Sequence, residues 1–324
     1  MSTLTPDPAA PVAIERRGIR LGDLLFKGVA GVAALGVTAV LGFLTYKIFA
    51  LAWPAMQKYG LSFIWTEAWN PNTNVYGALT FIYGTIVTSF IALLLATPLS
   101  IAIALFLTEL APRRLASPIA TMVELLAAIP SVVLGLWGIL VFGPWIANHL
   151  EPWLQSWFGF LPIFSGDPSQ AGLLPAALVL TIMIIPITSA ICRELFSRVP
   201  HDLTDGSLAL GSTRWEAIRR VALPYAAPGI SAAVLLGLGR AFGEAIAVTQ
   251  VIGSATGNPW WDLFAPSDTI GSRIASTYQG ASNNIEVQSL LYLGAILLVV
   301  SLITNVSAQA IVNRFQKARR MSTG

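Results

Sequence analysis

The sequence is poor in charged residues and in cysteine. Charged residues make up only 11% of the 324 residues, whereas hydrophobic residues make up 55% and the mean hydropathy is +0.70. A soluble domain of this composition would have almost no polar surface, so the composition predicts an integral membrane protein. The single cysteine, Cys192, excludes an intramolecular disulfide and provides no ligand spacing for zinc or for an iron–sulfur cluster.

The sequence also lacks the motifs of nucleotide hydrolysis and of nucleophilic catalysis. It contains no Walker A motif, no nucleophile elbow and no pair of histidines at metal-binding spacing. If the function requires an ATPase or a hydrolase, that activity must therefore come from another protein. The net charge of +3 is spread over several short loops, which indicates membrane topology better than binding of nucleic acid.

Six apolar runs are long enough to cross a bilayer. They lie at residues 28–46, 79–107, 118–142, 173–191, 229–252 and 290–312. The first run has 19 residues and exceeds the roughly 7 to 15 of a signal-peptide core, which favours a membrane anchor over the alternative of a cleaved signal. Internal prolines predict kinks in the second, third and fourth spans: Pro98, Pro130 and Pro186.

The distribution of lysine and arginine predicts the orientation of these spans. An even number of spans places both termini on one side. That side holds fifteen basic residues and the other side three, Lys47, Lys58 and Arg273. By the positive-inside rule, both termini and the charged loop that follows the fourth span are predicted to lie in the cytoplasm, in a multi-pass membrane protein.

The charged loop at residues 205–224 reads DGSLALGSTRWEAIRRVALP. Its pattern predicts a short helix, a stop at Gly211, and a second amphipathic helix that is ended by Leu223 and Pro224. A two-helix element with Leu210, Trp215 and Leu223 at apolar positions is suited to a helix-in-groove contact with a partner. The alternative is a solvated loop that lies on anionic lipid.

Arg240 and Glu244 lie within the fifth span, in GLGRAFGEAIAV. Each charge costs about 2.5 to 3.5 kcal/mol at the bilayer centre, so the pair is expected to face protein or water. The guanidinium offers two parallel donors to an oxyanion, and the carboxylate accepts a hydrogen bond from hydrogen phosphate but repels sulfate. The alternative is a structural ion pair, four residues apart on one helix face, with Gly237, Gly239 and Gly243 permitting close helix packing.

The charged loop resembles the coupling motif of the membrane-spanning subunits of ABC importers. That motif is EAA, three residues, glycine, nine residues, then I-x-L-P. Here Asp205, Gly206 and Ser207 take the first three positions, and Gly211 and residues 221–224 complete the spacing. The resemblance implies coupling helices that dock in a groove of a separate ATPase, through Asp205, Leu210, Gly211, Arg214, Trp215, Leu223 and Pro224.

Further stretches resemble the phosphate importers within this MetI-like group. They are ELLAAIPSVVLGLWG, TIMIIPITSAICRELFSRVP, GRAFGEAIAVTQVIG and LFAPSDTI. The resemblance implies an all-α membrane permease of six transmembrane helices in the type I importer fold, with Arg240 and Glu244 needed for phosphate passage. It divides the chain into a cytoplasmic tail at residues 1–27, a first helix with its outer loop at 28–75, and a permease core at 76–324 that includes the coupling loop 193–224.

The same resemblance implies the partners. These are a homologous permease subunit, a homodimeric cytoplasmic ATPase, an extracytoplasmic phosphate-binding protein and membrane lipid, without nucleic acid. ATP and magnesium belong to the ATPase, and no cofactor or metal is expected in this chain. Three other functions remain open at this point: a permease for another oxyanion such as molybdate or sulfate, a secondary transporter that works without ATP, and a membrane protein that senses phosphate through its partners.

Overall fold

The computed structural model describes residues 21–254 and 261–322, which fold almost entirely into helices. The α-helices are α1 (Leu21–Tyr59), α2 (Ser62–Trp65), α3 (Leu79–Leu105), α4 (Arg113–Ala127), α5 (Ser131–Trp137), α6 (Gly143–Trp145), α7 (Glu151–Phe158), α8 (Leu173–Ser197), α9 (His201–Ala209), α10 (Arg214–Ala217), α11 (Leu223–Gly243), α12 (Ile246–Val251), α13 (Ile270–Thr277) and α14 (Asn284–Ser322).

Shorter elements connect these helices. π-helical turns occupy Phe106–Leu110, Gly138–Phe142, Ile146–Leu150 and Ile218–Ala222, and 3₁₀ turns occupy Pro162–Phe164 and Tyr278–Gly280. Two short strands, β1 (Trp69–Asn70) and β2 (Val75–Tyr76), form an antiparallel hairpin in which Trp69 pairs with Tyr76. The π turns join α5, α6 and α7 into one long helix, and they join α10 to α11 in the same way.

Within residues 21–254 and 261–322, six helical stretches are long and apolar enough to cross a membrane, which confirms the predicted fold class. They are Leu24–Tyr59, Leu79–Leu110, Ser131–Phe158, Leu173–Ser197, Arg214–Gly243 and Asn284–Ala310. The chain divides into two units, residues 1–47 and 48–324. In the described part of the first unit the apolar side chains of α1 are exposed, as suits a helix in lipid. Residues 1–20 of the predicted cytoplasmic tail lie outside the described residues.

Helix α8 lies at the centre of the second unit, since 67% of its most apolar stretch is buried. Helix α3 packs against it through buried small residues at every fourth position: Thr88, Ala92, Ala96, Ser100 and Ala104. Such a stripe allows two helix backbones to approach closely in apolar surroundings. The hydroxyl of Ser100 donates a hydrogen bond to the carbonyl of Ile185, beside Pro186 of α8, with an O–O distance of 3.3 Å.

The third span differs from its prediction. Residues 113–127 form the separate helix α4, and the span begins only at Ser131 and continues to Phe158. Pro130 therefore precedes the span instead of kinking its interior, since it has extended backbone angles and lies immediately before α5. Proline has no N–H to give to a helix interior, but it is well tolerated at a helix start. Glu124, on α4, forms an ion pair with Arg193 of α8.

The segment between α12 and α13 covers the beginning of α8, at Leu173. Helix α9 follows the other end of α8. In the described part of the segment, the backbone N–H of Leu174 donates to the carbonyl of Leu263 at 2.8 Å, and that of Ile270 donates to the hydroxyl of Thr85 at 2.9 Å. A methyl group at Gly84 would collide with the carbonyl oxygen of Asp268, so only glycine permits this approach. The segment is thereby fastened to α3 and α8.

Candidate functional site

The fifth span ends at the predicted charge pair. Helix α11 stops at Gly243, Glu244 has extended backbone angles (φ −77°, ψ 117°), and a new helix, α12, begins at Ile246. The prediction of one continuous helix over residues 229–252 is therefore wrong. The Oε1 atom of Glu244 accepts a hydrogen bond from the N–H of Ala247 at 3.2 Å, which satisfies one free donor in the first turn of α12.

Arg240 and Glu244 remain close despite this break. The Nη2 atom of Arg240 lies 4.0 Å from the Oε2 atom of Glu244, so the two charges attract each other without a direct hydrogen bond. The side chain of Arg240 is 39% exposed, whereas that of Glu244 is 10% exposed. Within the described parts of the chain, the guanidinium of Arg240 forms no hydrogen bond, so all its N–H groups are available to a ligand.

Both side chains line a cleft of about 830 Å³ between α11, α8 and α14. The cleft walls are mainly apolar, and its polar groups come from two helices: Arg240 and Glu244 at the end of α11, and Asn305 and Gln309 of α14. A few convergent polar groups in a mostly apolar concave site are typical of small-ligand binding. The two amides are not among the site residues predicted from the sequence, although their four-residue spacing within an apolar span was a visible signal.

The glycines near the pair have two different roles. A methyl group at Gly237 would lie 3.1 Å from Ile184 of α8, so this glycine allows α11 and α8 to pack closely, as predicted. Gly239 and Gly243 face open space and line the cleft, which does not fit their predicted role in helix packing. Their missing side chains instead leave room in front of Arg240.

The predicted coupling segment forms a projecting pair of helices at the other end of α8. Helix α9 ends at Ala209, and Gly211 has a φ of +91°, a left-handed conformation that favours glycine. Leu210 is 90% exposed and Trp215 is 64% exposed. Thr213 and Glu216 form a capping box at the start of α10, which sets the direction of the second helix.

The end of this segment differs from its prediction. The second helix does not end at Leu223 and Pro224, because α10 passes through a π turn into α11 without interruption. Pro224 lies in the first turn of α11. Leu223 packs inward against the buried cluster that contains Phe196, so it is not part of the exposed surface of the segment. Asp205 and Arg214 line a small shared pocket of about 220 Å³.

A largely buried arginine–carboxylate pair lies at the start of α13, and it was not predicted from the sequence. The Nη1 atom of Arg273 lies 3.5 Å from the Oδ2 atom of Asp268, and the side chains are 12% and 1% exposed. The Oδ1 atom of Asp268 accepts hydrogen bonds from the hydroxyls of Ser254 and Ser272, each at 3.0 Å. Burial raises the pKa of Asp268, and the Arg273 charge opposes this shift.

Comparison with known proteins places the chain in a family. The family model described as "Binding-protein-dependent transport system inner membrane component" matches residues 96–317, which include the coupling segment and the cleft. The chain belongs to this family. Together with the six candidate spans, this makes it a multi-pass component of the inner membrane.

Two curated relatives within this family cover most of the chain. The first, from Pasteurella multocida, is named "Phosphate transport system permease protein PstC" and is 42% identical over 299 residues, 91% of this chain and 93% of the relative. The second, from Mesorhizobium japonicum, has the same name and is 43% identical over 289 residues, 88% of each chain.

The fold is also found among solved structures. A chain in the crystal structure of a bacterial alginate ABC transporter, in complex with an alginate-pentasaccharide-bound periplasmic protein, superposes with a TM-score of 0.61. The match covers 93% of this chain and 99% of that chain at 18% identity. At this identity the likeness shows a shared importer-permease fold.

Proposed function

We propose that this chain is a permease subunit of an ATP-driven phosphate importer and forms the path of inorganic phosphate together with a second permease. The observation that carries the proposal is the free, 39% exposed guanidinium of Arg240 in a cleft inside the membrane region, with a carboxylate 4.0 Å away. The relatives named as phosphate permeases, which match about nine-tenths of the chain, support the choice of phosphate.

The geometry of the pair suits hydrogen phosphate. The guanidinium can donate two parallel hydrogen bonds to one oxyanion, and its positive charge offsets the loss of hydration. The Oε1 atom of Glu244 is occupied by the N–H of Ala247, whereas its Oε2 atom faces Arg240. Oε2 is thus placed to accept a hydrogen bond from the proton of a hydrogen phosphate bound at Arg240. Sulfate carries no proton at neutral pH and would be repelled there.

The partners follow from the same proposal. A homologous permease (PstA-like) completes the path, a homodimeric ATPase (PstB-like) binds ATP and magnesium in the cytoplasm, and a phosphate-binding protein (PstS-like) delivers the substrate from outside. The exposed Leu210 and Trp215 dock in a groove of the ATPase, and Asp205, Gly211 and Arg214 shape that contact. Leu223 and Pro224 transmit its movement into α11, because the helix continues through them. Both termini lie in the cytoplasm, on the basic side.

Reconstitution of the complete importer in liposomes tests this function. We expect phosphate uptake that requires ATP and the loaded binding protein, and we expect Arg240→Ala to lower its rate about ten- to a hundredfold, because hydrogen bonds to a charged group are lost. The matched control is Arg114→Ala, which should leave uptake unchanged. Arg114 is an exposed arginine of α4 that lies outside both the cleft and the coupling loop.

Three results would contradict the proposal in different ways. Uptake of sulfate or molybdate, with phosphate uptake insensitive to Arg240→Ala, would indicate a permease for another oxyanion. Phosphate flux through this chain alone, without ATP, would indicate a secondary transporter. Binding of the ATPase without any measurable flux would indicate a sensor or scaffold.

A further inference from the structure

Helix α14 carries a row of uncharged polar residues within an apolar span. Ser301, Asn305, Gln309 and Asn313 recur at every fourth position, so they lie along one face of the helix. The intervening side chains of Leu302, Ile303 and Val306 are apolar and more than half exposed. Polar groups in an apolar span are expected to face protein or a water-filled cavity, so the row marks a surface that is not in contact with lipid.

Two residues of this row share the cleft with Arg240. Asn305 and Gln309 line it from α14, opposite the end of α11. The Nε2 atom of Gln309 donates to the Oδ1 atom of Asn313 at 3.1 Å, whereas Asn305 forms no hydrogen bond with any residue in the described ranges. Asn305 therefore has donors and an acceptor available inside the cleft. The interaction of Gln309 with Asn313 continues the polar row along the helix beyond the cleft.

We infer that Asn305 and Gln309 form a second, uncharged wall of the anion site and bind the oxyanion as it leaves Arg240. This inference rests on the proposed function and names two further binding residues for the same substrate. Primary amides donate hydrogen bonds to phosphate oxygens without adding charge. A conducting site must bind its ion firmly enough to admit it and weakly enough to release it, so neutral donors beyond the Arg240–Glu244 pair suit passage.

Cysteine labelling tests the placement of these residues without relying on transport. The natural cysteine, Cys192, is buried, so labelling of the chain reports an introduced cysteine. Asn305→Cys and Gln309→Cys are each made in the complete complex and reacted with two water-soluble methanethiosulfonates, one with an anionic sulfonate group and one with a cationic trimethylammonium group. Two independent positions keep the test valid if one variant does not assemble.

We expect both cysteines to react, and to favour the anionic reagent when each rate is divided by the rate of the same reagent with a free thiol. Replacing Arg240 with alanine is expected to lower the ratio of anionic to cationic rates roughly tenfold, since a local charge concentrates counter-ions in a cleft with apolar walls. Inorganic phosphate is expected to slow the reaction. Ser307→Cys is the matched control: Ser307 is an exposed polar residue of the same helix that does not line the cleft, so its ratio should be unchanged by Arg240→Ala.

Uptake measurements supply the second readout. Asn305→Leu and Gln309→Leu preserve approximate side-chain size and are expected to lower phosphate uptake several-fold, while ATP hydrolysis stimulated by the loaded binding protein persists. The number of ATP molecules hydrolysed per phosphate therefore rises. Ser307→Leu should leave this ratio at the wild-type value.

The possible outcomes separate this inference from the proposed function. The inference that Asn305 and Gln309 bind the oxyanion would be wrong if cysteines at 305 and 309 do not react, or if they react without any influence of Arg240. This holds even in a complex that imports phosphate. The inference would also be wrong if uptake and ATP hydrolysis fall in parallel in both leucine variants. A wild-type complex that does not import phosphate, or Arg240→Ala with full uptake, would instead refute the proposed function.

Discussion

Two of the arginine–carboxylate pairs in the described residues have opposite surroundings. Arg240 and Glu244 lie 4.0 Å apart at a helix break, in an open cleft, with the arginine side chain 39% exposed. Arg273 and Asp268 lie 3.5 Å apart at the start of α13, with side chains 12% and 1% exposed. The charges are of the same kind in both pairs, so the difference in their chemistry must come from the structure around them.

The closed pair is enclosed by its own chain. Two serine hydroxyls bind the carboxylate of Asp268. The guanidinium of Arg273 lies over the rings of Trp69 and Phe81, 5.4 and 5.0 Å from the ring centres. These contacts leave little space for a ligand, and cation–π contacts of this kind stabilise a buried arginine. The pair joins α13 to the hairpin and to the start of α3.

In the part of the chain that the structure describes, the open pair lacks such contacts. Glycines at 239 and 243 leave space in front of Arg240, and the carboxylate of Glu244 is held from one side by the N–H of Ala247. Enclosure therefore separates a pair that is closed off from one that is accessible to a ligand. A charged residue in a membrane protein is a stronger candidate for ligand binding when a ligand can reach its hydrogen-bonding groups.

The largest effect is expected from breaking the closed pair. Arg273→Leu removes the partner of a buried carboxylate, and such a loss costs about 3 to 5 kcal/mol of stability. We expect a clear fall in the thermal midpoint of the purified complex, measured by tryptophan fluorescence. Phosphate uptake per folded complex should remain near the wild-type value. Adding Asp268→Asn to Arg273→Leu should restore part of the loss, because no buried charge is then left unpaired.

A transport defect at normal stability would contradict this interpretation of the Arg273 pair. It would mean that the start of α13 takes part in transport. An unchanged thermal midpoint would show that the aromatic rings and the serine hydroxyls, without the ion pair, hold this region together.

A smaller and different effect is expected from Arg240→Lys in the open pair. Lysine keeps the positive charge but loses the planar fork that binds two oxygens at once. We expect phosphate uptake to fall about tenfold, the size of one lost charge-assisted hydrogen bond. The thermal midpoint should stay within the range of surface substitutions, because Arg240 forms no hydrogen bond within the described chain. A loss of stability as large as that of Arg273→Leu would make Arg240 a structural residue.

The smallest effect concerns the pH dependence of stability at Asp268. Burial raises the pKa of this carboxyl above its ordinary value of 3.8, with the charge of Arg273 and the hydroxyls of Ser254 and Ser272 opposing. The folded state therefore binds this proton more tightly than the unfolded chain. The resulting stabilisation is complete below pH 3.8, the ordinary pKa of the carboxyl, and is lost as the pH rises through the folded-state pKa.

Comparison with Asp268→Asn isolates this contribution. The thermal midpoint of the wild-type complex, relative to that of Asp268→Asn, should decrease from acidic to neutral pH. A difference that increases with pH would show that the interaction with Arg273 outweighs burial.

Features with a strong local pattern could be predicted from the sequence. The six spans follow from runs of apolar residues, and the stop at Gly211 follows from a glycine between two helical patterns. The start of the third span could not be predicted in this way. Residues 118–127 are apolar enough to resemble the beginning of a span, but they belong to α4, and Pro130 separates them from the span.

The sequence predicted only part of the candidate site. Arg240 and Glu244 stand out because charge is costly in an apolar span. The break of the helix at Glu244 was not predicted, although α11 ends at a glycine, because the glycines at 237, 239 and 243 recur in this span and do not single out one end point. Asn305 and Gln309 lie more than sixty positions away in the sequence, and only the packing of α14 beside α11 brings them to the cleft.

By itself, the sequence determined that the chain spans a membrane six times and that one of its spans carries a charge pair. These properties follow from the cost of polar groups in lipid, which acts on each segment separately. The tertiary structure decided which pair is open and which is closed, and where the helix breaks. Both depend on contacts between segments far apart in the chain, such as α13 with the hairpin and α11 with α14, and no local pattern records those contacts.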